Sequence, residues 1–120
     1  MDDSLSFREA TREMIQGTAG FEWIGDANSG EAGVEEAARL EPDLVLMDVR
    51  MPGIGGVEAA RRIGAMIAWS IVVLITAADV PTQLPNGTAA EILPKHRVSP
   101  ASLRRLWQDH AKPEAFAAGQ

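Results

Sequence analysis

The sequence has 120 residues, of which 46% are hydrophobic and 23% are charged, as is typical of one soluble globular domain. The net charge of −6 argues against direct binding to nucleic acid, and the absence of cysteine excludes disulfides and thiolate metal sites. No apolar run approaches the roughly 20 residues of a membrane-spanning helix, and the acidic, polar N-terminus is unlike a secretory signal. We therefore expect a cytoplasmic domain with neither a membrane nor a nucleic acid as its partner.

The first half of the chain predicts helix, strand, helix and strand in turn. Apolar residues recur at helical spacing from Phe7 to Ile15, and a short strand is predicted from Phe21 to Ala27. Asn28 to Glu31 supplies a helix cap, and the helix that follows stops before Pro42. Leu44 to Met47 is a continuous apolar run, which is typical of a strand buried on both faces.

The second half continues the same alternation. A helical stripe runs from Val57 to Ile67, and a second apolar strand follows from Ile71 to Ile75. Glu91 to Leu93 predicts a short strand, and Ser99-Pro100 is a cap with proline at the first position of a closing helix. This alternation predicts an α/β fold, a doubly wound parallel sheet with helices on both faces.

The domain organisation is simple. We expect one domain over residues 1–111 and a flexible, polar, Ala-rich tail over residues 112–120. The sequence contains no internal repeat and no low-complexity linker, and nothing after residue 111 is long enough to be an output domain.

Three successive strands are predicted to end in polar side chains. The first apolar strand ends in Asp48, the second in Thr76, and the third ends just before Lys95. In open α/β sheets, ligands bind beyond the carboxyl ends of the strands. Asp2-Asp3 precedes the first helix, at the point where a preceding strand would end on the same edge. We therefore expect a site there that combines carboxylates, a hydroxyl and an ammonium.

Each of these residue types suits phosphoryl transfer. Clustered carboxylates repel one another, so either some are protonated or a cation holds them. Oxygen ligands of this charge suit a hard cation such as Mg²⁺. Asp48 could then attack phosphorus as a nucleophile and form an acyl phosphate. Lys95 would pair with the phosphoryl oxygens, and Thr76 would donate a hydrogen bond to one of them.

The same segments resemble the bacterial response-regulator receiver domains of two-component systems. The resemblance is carried by four motifs in order: Asp2-Asp3-Ser4, Leu44 to Gly53 (LVLMDVRMPG), Thr76-Ala77 and Leu93-Pro94-Lys95. It implies a flavodoxin-like fold, a phosphoacceptor Asp48, and Mg²⁺ bound by Asp3, Asp48 and the backbone carbonyl of Arg50, with Asp2 acting through water. It also implies a sensor histidine kinase or phosphotransfer protein as phosphate donor, an unknown downstream protein as target, and no metabolite turnover.

Each site residue also has a plainer interpretation. Asp48 could be a strand-end or turn residue, and Asp2-Asp3 could be only an acidic terminus. Thr76 could cap the following turn, and Lys95 could be a solvated surface lysine.

The largest departure from the receiver pattern is the first strand. Receivers place an apolar strand directly before the acidic pair, whereas only Met1 is available here. Three explanations remain open: a misassigned start, a gap closed by a shift of Phe21–Ala27, or a strand borrowed from another molecule.

Two further regions are unusual. Residues 79–87 contain two prolines and a glycine, which predicts a degenerate fourth helix. Ile92 stands where receivers often have an aromatic switch residue, so a rival hypothesis is a degenerate receiver that acts as a phosphorylation-independent interaction module. Ala65 to Trp69 is more apolar than the usual loop and suggests a partner surface or a homodimer contact.

Overall fold

The computed structural model describes residues 5–76 and 89–110 of the chain. Its helices and strands follow the order that the sequence predicts, with one exception that is described below. In chain order the elements are α1 (Leu5–Gln16), α2 (Gly30–Leu40), β1 (Leu44–Asp48), α3 (Gly56–Met66), β2 (Ile71–Thr76), β3 (Glu91–Pro94), a 3₁₀ turn (Lys95–Arg97) and α4 (Pro100–His110).

The three strands form one parallel sheet in the order β1-β2-β3. In its register Asp48 lies opposite Ile75, and Thr76 lies opposite Pro94. All six residues of β2 are buried, and so are the last four residues of β1. This explains their continuous apolar sequence, because a strand with helices on both sides has no solvent-facing positions.

Two apolar layers, one on each face of the sheet, confirm the predicted doubly wound architecture. Residues of α2 and α3, including Ala37 and Ile63, pack with Val45, Met47, Val72 and Leu74 on one face. On the other face, Leu103 and Leu106 of α4 and partly buried side chains of α1 pack against β1, β2 and β3; the buried strand residues there are Leu46, Ile71, Val73, Ile75 and Leu93.

The predicted strand from Phe21 to Ala27 is wrong. Residues 21–27 have no regular secondary structure, and within the described residues β1 pairs only with β2. A cavity of about 530 Å³ separates Phe21–Gly25 from Leu44–Leu46, and α1, α2 and α4 also contribute to its walls. A strand needs a neighbour to accept and donate its main-chain hydrogen bonds. Residues 21–27 therefore remain irregular, and within the described residues they do not pair with β1.

Several expectations fall on residues outside the described ranges. These are the acidic pair Asp2-Asp3, the prolines and glycine of residues 81–87, and the tail over residues 112–120.

Within the described ranges, none of the helices combines the length and the apolar character that crossing a membrane requires.

Candidate functional site

The carboxyl ends of the three strands bring the predicted residues to one edge of the sheet. Asp48 is the last residue of β1, Thr76 is the last residue of β2, and Lys95 directly follows β3. Because the strands are parallel and in register, these three residues lie at nearly the same height along the strand direction. The sequence prediction of a shared edge is confirmed for this set.

The Asp48 carboxylate is buried and held by two donors. Only 5% of its side chain is exposed, and Oδ2 lies 2.8 Å from the Nζ atom of Lys95. The backbone N–H of Arg50 donates to Oδ1 over 2.7 Å. A buried carboxylate requires such charge-assisted contacts, because it has lost most of its hydration. The two contacts fix the carboxylate at the mouth of the site, and Lys95 is therefore not a solvated surface lysine.

Lys95 has an aromatic neighbour that the sequence did not reveal as part of the site. Its Nζ atom lies 4.7 Å from the centre of the Phe7 ring, within the range of a cation–π interaction. Phe7 lies on α1, and its place in a helical apolar stripe indicated only a core residue. The ring adds a second attraction that keeps the ammonium near Asp48.

The connection from β1 to α3 is packed tightly against the phosphoacceptor candidate. The N–H of Val49 donates to the carbonyl of Ile75 over 2.9 Å, and that of Gly56 donates to the carbonyl of Val49 over 3.2 Å. A side chain at Gly56 would collide with the carbonyl of Asp48. Only glycine allows α3 to begin so close to the end of β1.

The N-terminus of α2 holds the same connection from its other side. The N–H of Gly30 donates to the carbonyl of Pro52 over 3.0 Å, and the N–H of Ile54 donates to the Oε1 atom of Glu31 over 2.6 Å. Gly53 has φ 81°, a conformation that favours glycine. The sequence predicts Glu31 only as part of a helix cap, in which the Ser29 hydroxyl accepts a hydrogen bond from the N–H of Ala32. The cross-loop contact of Glu31 was missed.

The donors at this edge suit a hard cation, although the set is only partly described. Asp48 offers a carboxylate and Arg50 a backbone carbonyl, and Mg²⁺ prefers such oxygen ligands. The two remaining predicted ligands, Asp2 and Asp3, lie outside the described residues. Among residues 5–76 and 89–110 there is no cluster of three acidic, histidine or cysteine side chains that could hold a metal by itself.

The apolar segment from Ala65 to Trp69 is partly exposed and partly packed against the core. Met66 is exposed, but Ile67 is buried and Trp69 packs against the core. Ala65 and Ala68 are exposed beside Met66, so the apolar residues of this segment are divided between the surface and the interior, and its role as a partner or homodimer contact stays a prediction.

The sequence of the chain matches a profile of the family described as "Response regulator receiver domain" over residues 1–96. The chain belongs to this family. It is therefore a signalling domain of two-component systems. It is 38% identical over 98 residues to the response regulator GacA of Pseudomonas viridiflava, covering 79% of this chain and 46% of that protein. It is also 35% identical over 100 residues to a protein-glutamate methylesterase/protein-glutamine glutaminase of Pseudoalteromonas atlantica, covering 79% of this chain and 26% of that protein.

Solved structures give the same fold. The signal receiver domain of the putative response regulator NarL from Mycobacterium tuberculosis superimposes with a TM-score of 0.76 at 28% identity, covering 90% of this chain and 89% of that one. The response regulator domain of Thermotoga maritima CheB gives a TM-score of 0.76 at 24% identity, covering 89% of this chain and 90% of that one, and supports the fold alone. The described residues thus have the receiver fold. The chain spans less than half the length of the two curated relatives described above.

Proposed function

We propose that this receiver domain accepts a phosphoryl group on Asp48 from the phosphohistidine of a sensor kinase or a phosphotransfer protein. The observation that carries the proposal is the contact of 2.8 Å between the Asp48 carboxylate and the Lys95 ammonium at the carboxyl edge of the sheet. A nucleophile and a cation for the transferred group are thus adjacent, on two different elements.

The reaction needs little more than positioning and charge stabilisation. A carboxylate oxygen of Asp48 forms a bond to phosphorus as the bond between phosphorus and the donor imidazole nitrogen breaks, and that bond's electron pair stays on the imidazole. The Arg50 N–H keeps the carboxylate in place, and the Lys95 ammonium can turn from the carboxylate to the new phosphoryl oxygens. Thr76, buried at the end of β2, is the candidate hydroxyl donor to one of those oxygens.

A divalent cation belongs to this proposal. Held by Asp48, the carbonyl of Arg50 and Asp3, with Asp2 acting through water, Mg²⁺ would offset the negative charge of the carboxylates and of the incoming phosphoryl group. The protein's own contribution is to hold the hard oxygen donors of Asp48 and Arg50 two residues apart on a fixed loop.

The signalling output would be a change in binding. We propose that the domain acts in the cytoplasm and that its phosphorylated form differs from the free form in affinity for a downstream protein. It would catalyse its own phosphorylation and hydrolysis without turning over a separate metabolite.

The test is to incubate the purified chain with Mg²⁺ and acetyl phosphate and to record its intact mass. We expect one phosphoryl adduct on the wild type and none on Asp48→Ala or in the presence of EDTA. An adduct that persists on Asp48→Ala would move the phosphoacceptor to another residue. A folded wild type that forms no adduct would instead favour the rival, an interaction module that works without phosphorylation.

A further inference from the structure

The loop between β1 and α3, residues 49–55, is joined to α2 as well as to the strand that precedes it. The carboxylate of Glu31, in the first turn of α2, accepts the N–H of Ile54 over 2.6 Å, although the two residues are 23 apart in sequence. Next to it, the N–H of Gly30 donates to the carbonyl of Pro52 over 3.0 Å. The loop is therefore held by a neighbouring helix through two hydrogen bonds that run in opposite directions.

Glycines at the contact bring the two segments close enough for these bonds. A side chain at Gly53 would collide with the Glu31 carboxylate, and one at Gly30 would lie 2.7 Å from the Ile54 side chain and 2.9 Å from the carbonyl of Gly55. The bond from Ile54 is also of the stronger kind, because its acceptor is an ionised carboxylate. Glu31 is exposed, and its carboxylate fits against the loop because glycines stand at residues 30 and 53.

The held loop carries the two backbone groups that the proposed reaction uses. The N–H of Arg50 donates to the Oδ1 atom of Asp48 over 2.7 Å, and the carbonyl of Arg50 is a proposed ligand of Mg²⁺. Arg50 and Ile54 are separated by only three residues, so a displacement of Ile54 would also displace the backbone of Arg50. Outer-shell groups that orient metal ligands in this way typically contribute about 10- to 100-fold to metal affinity or activity.

We propose that Glu31 is a positioning residue for phosphoryl transfer, which fixes the loop after Asp48 so that the N–H and carbonyl of Arg50 point correctly toward the nucleophile and the cation. The inference rests on the proposed function of Asp48. Glu31 touches neither the phosphoryl group nor the cation and acts only through the Ile54 amide.

Three variants separate this role from general effects of charge or stability. Glu31→Ala removes the acceptor, and Glu31→Gln keeps a neutral side-chain oxygen at the same position. Glu35→Ala removes the same charge from an exposed position of the same helix, one turn further along, and is the matched control.

The apparent Kd for Mg²⁺ is measured by titration, with the amide chemical shifts of Arg50 and Ile54 as the signal. The rate of adduct formation with acetyl phosphate is measured separately. For Glu31→Ala we expect a Kd about tenfold higher, a rate about tenfold lower, and faster hydrogen exchange at the Ile54 amide. Glu31→Gln should recover most of the affinity and rate, and Glu35→Ala should match the wild type.

The outcomes distinguish this inference from the proposed function. Glu31→Ala with wild-type Kd and rate would overturn the positioning role, and so would an equal loss in Glu35→Ala. A wild type that forms no adduct but binds Mg²⁺ about tenfold more tightly than Glu31→Ala would defeat the phosphoacceptor proposal and leave the positioning of the loop established. A wild type that shows neither adduct nor Mg²⁺ binding would overturn both.

Discussion

The Asp48–Lys95 pair has a consequence for stability that can be measured without phosphate. Asp48 is almost fully buried, while 22% of the Lys95 side chain is exposed. Removing the cation leaves a desolvated carboxylate without the partner 2.8 Å away, whereas removing the carboxylate's charge leaves an ammonium that can still reach water. Loss of the lysine should therefore lower the free energy of unfolding more than loss of the aspartate charge does.

We expect Lys95→Met to lower the free energy of unfolding by about 2–3 kcal/mol, and Asp48→Asn to change it by less than about 1 kcal/mol. In the double variant the penalty of Lys95→Met should largely disappear, because no buried charge is left. Urea unfolding at pH 7 measures all three. Arg97→Met, which removes an exposed cation of the same 3₁₀ turn, is the control. Additive effects of the two substitutions would show that the pair is not coupled.

At the scale of elements, one ion-pair network joins β3 to α4. The Arg105 guanidinium donates to both carboxylate oxygens of Glu91, over 3.0 Å and 2.6 Å, and the His110 ring contacts Glu91 at 3.0 Å. Arg105 also lies 3.3 Å from Asp109 on its own helix. The hydrogen bonds from Arg105, and secondarily the contact with His110, hold the pKa of Glu91 below its usual value. The network thus connects the closing helix to the strand that precedes Lys95.

The sign of its pH dependence follows from the lowered pKa of Glu91. The unfolded chain takes up this proton at about pH 4.3, and the folded chain takes it up only at lower pH, so the stabilisation is complete above about pH 5 and is lost as the pH falls through the folded pKa. We expect Glu91→Gln to be less stable than the wild type by up to about 1 kcal/mol at pH 7. The difference should shrink as the pH is lowered from 5 toward 3. Thermal unfolding across this range, with Glu35→Gln as control, checks it; a difference that stays constant with pH would contradict the assignment.

Two of the predicted strands formed as the sequence indicates and one did not, and the difference has a physical cause. β1 and β2 were predicted because burial on both faces demands continuous apolar runs such as Leu44–Met47. The segment from Phe21 to Ala27 also predicts a short strand, although Glu22, Gly25 and Asp26 interrupt its apolar residues. However, a strand also requires a neighbour to pair with. Whether that neighbour exists is a property of the whole sheet, and no local pattern reports it.

The site shows the same division. Asp48, Thr76 and Lys95 could be predicted because each ends or follows a strand, and parallel topology then places them together. Phe7 and Glu31 could not, because a place on a helix face or in a helix cap does not tell which strand end or loop the helix will contact. The glycine at residue 53, with its positive φ, was the available signal that something approaches the loop closely.

At the scale of the whole molecule, the dominant feature is the cavity of about 530 Å³ beside β1. It lies between Leu44–Leu46 and Phe21–Gly25, and its walls include Phe7, Leu103 and Trp107 from the two helices of one face. The Nε atom of Arg8, another wall residue, is buried and has no hydrogen-bond partner among the described residues. The space is partly open to solvent, so apolar side chains placed in it would bury wall surface that is now accessible to water.

An apolar strand placed in this space should therefore stabilise the domain. A strand of five residues spans about 17 Å, the length of β1, and one that runs parallel to β1 would end at the edge where α1 begins. We expect an extension of five apolar, β-branched residues before Met1 to raise the midpoint of thermal unfolding by at least about 5 °C relative to the 120-residue chain. It should also give Phe21–Ala27 slow amide exchange, because that segment would gain a pairing neighbour.

The matched control is an extension of the same length made of glycine and serine, which adds chain without apolar surface. Calorimetry and hydrogen exchange on both extended chains and on the original one separate the two effects. Stabilisation by both extensions would show that chain length alone matters, and stabilisation by neither would show that the cavity does not accept a strand. Stabilisation by the apolar extension alone would identify the space beside β1 as one that accepts a further strand. It would also predict faster phosphorylation of Asp48, since that strand would lie directly before the proposed Mg²⁺ ligands Asp2 and Asp3 in the sequence.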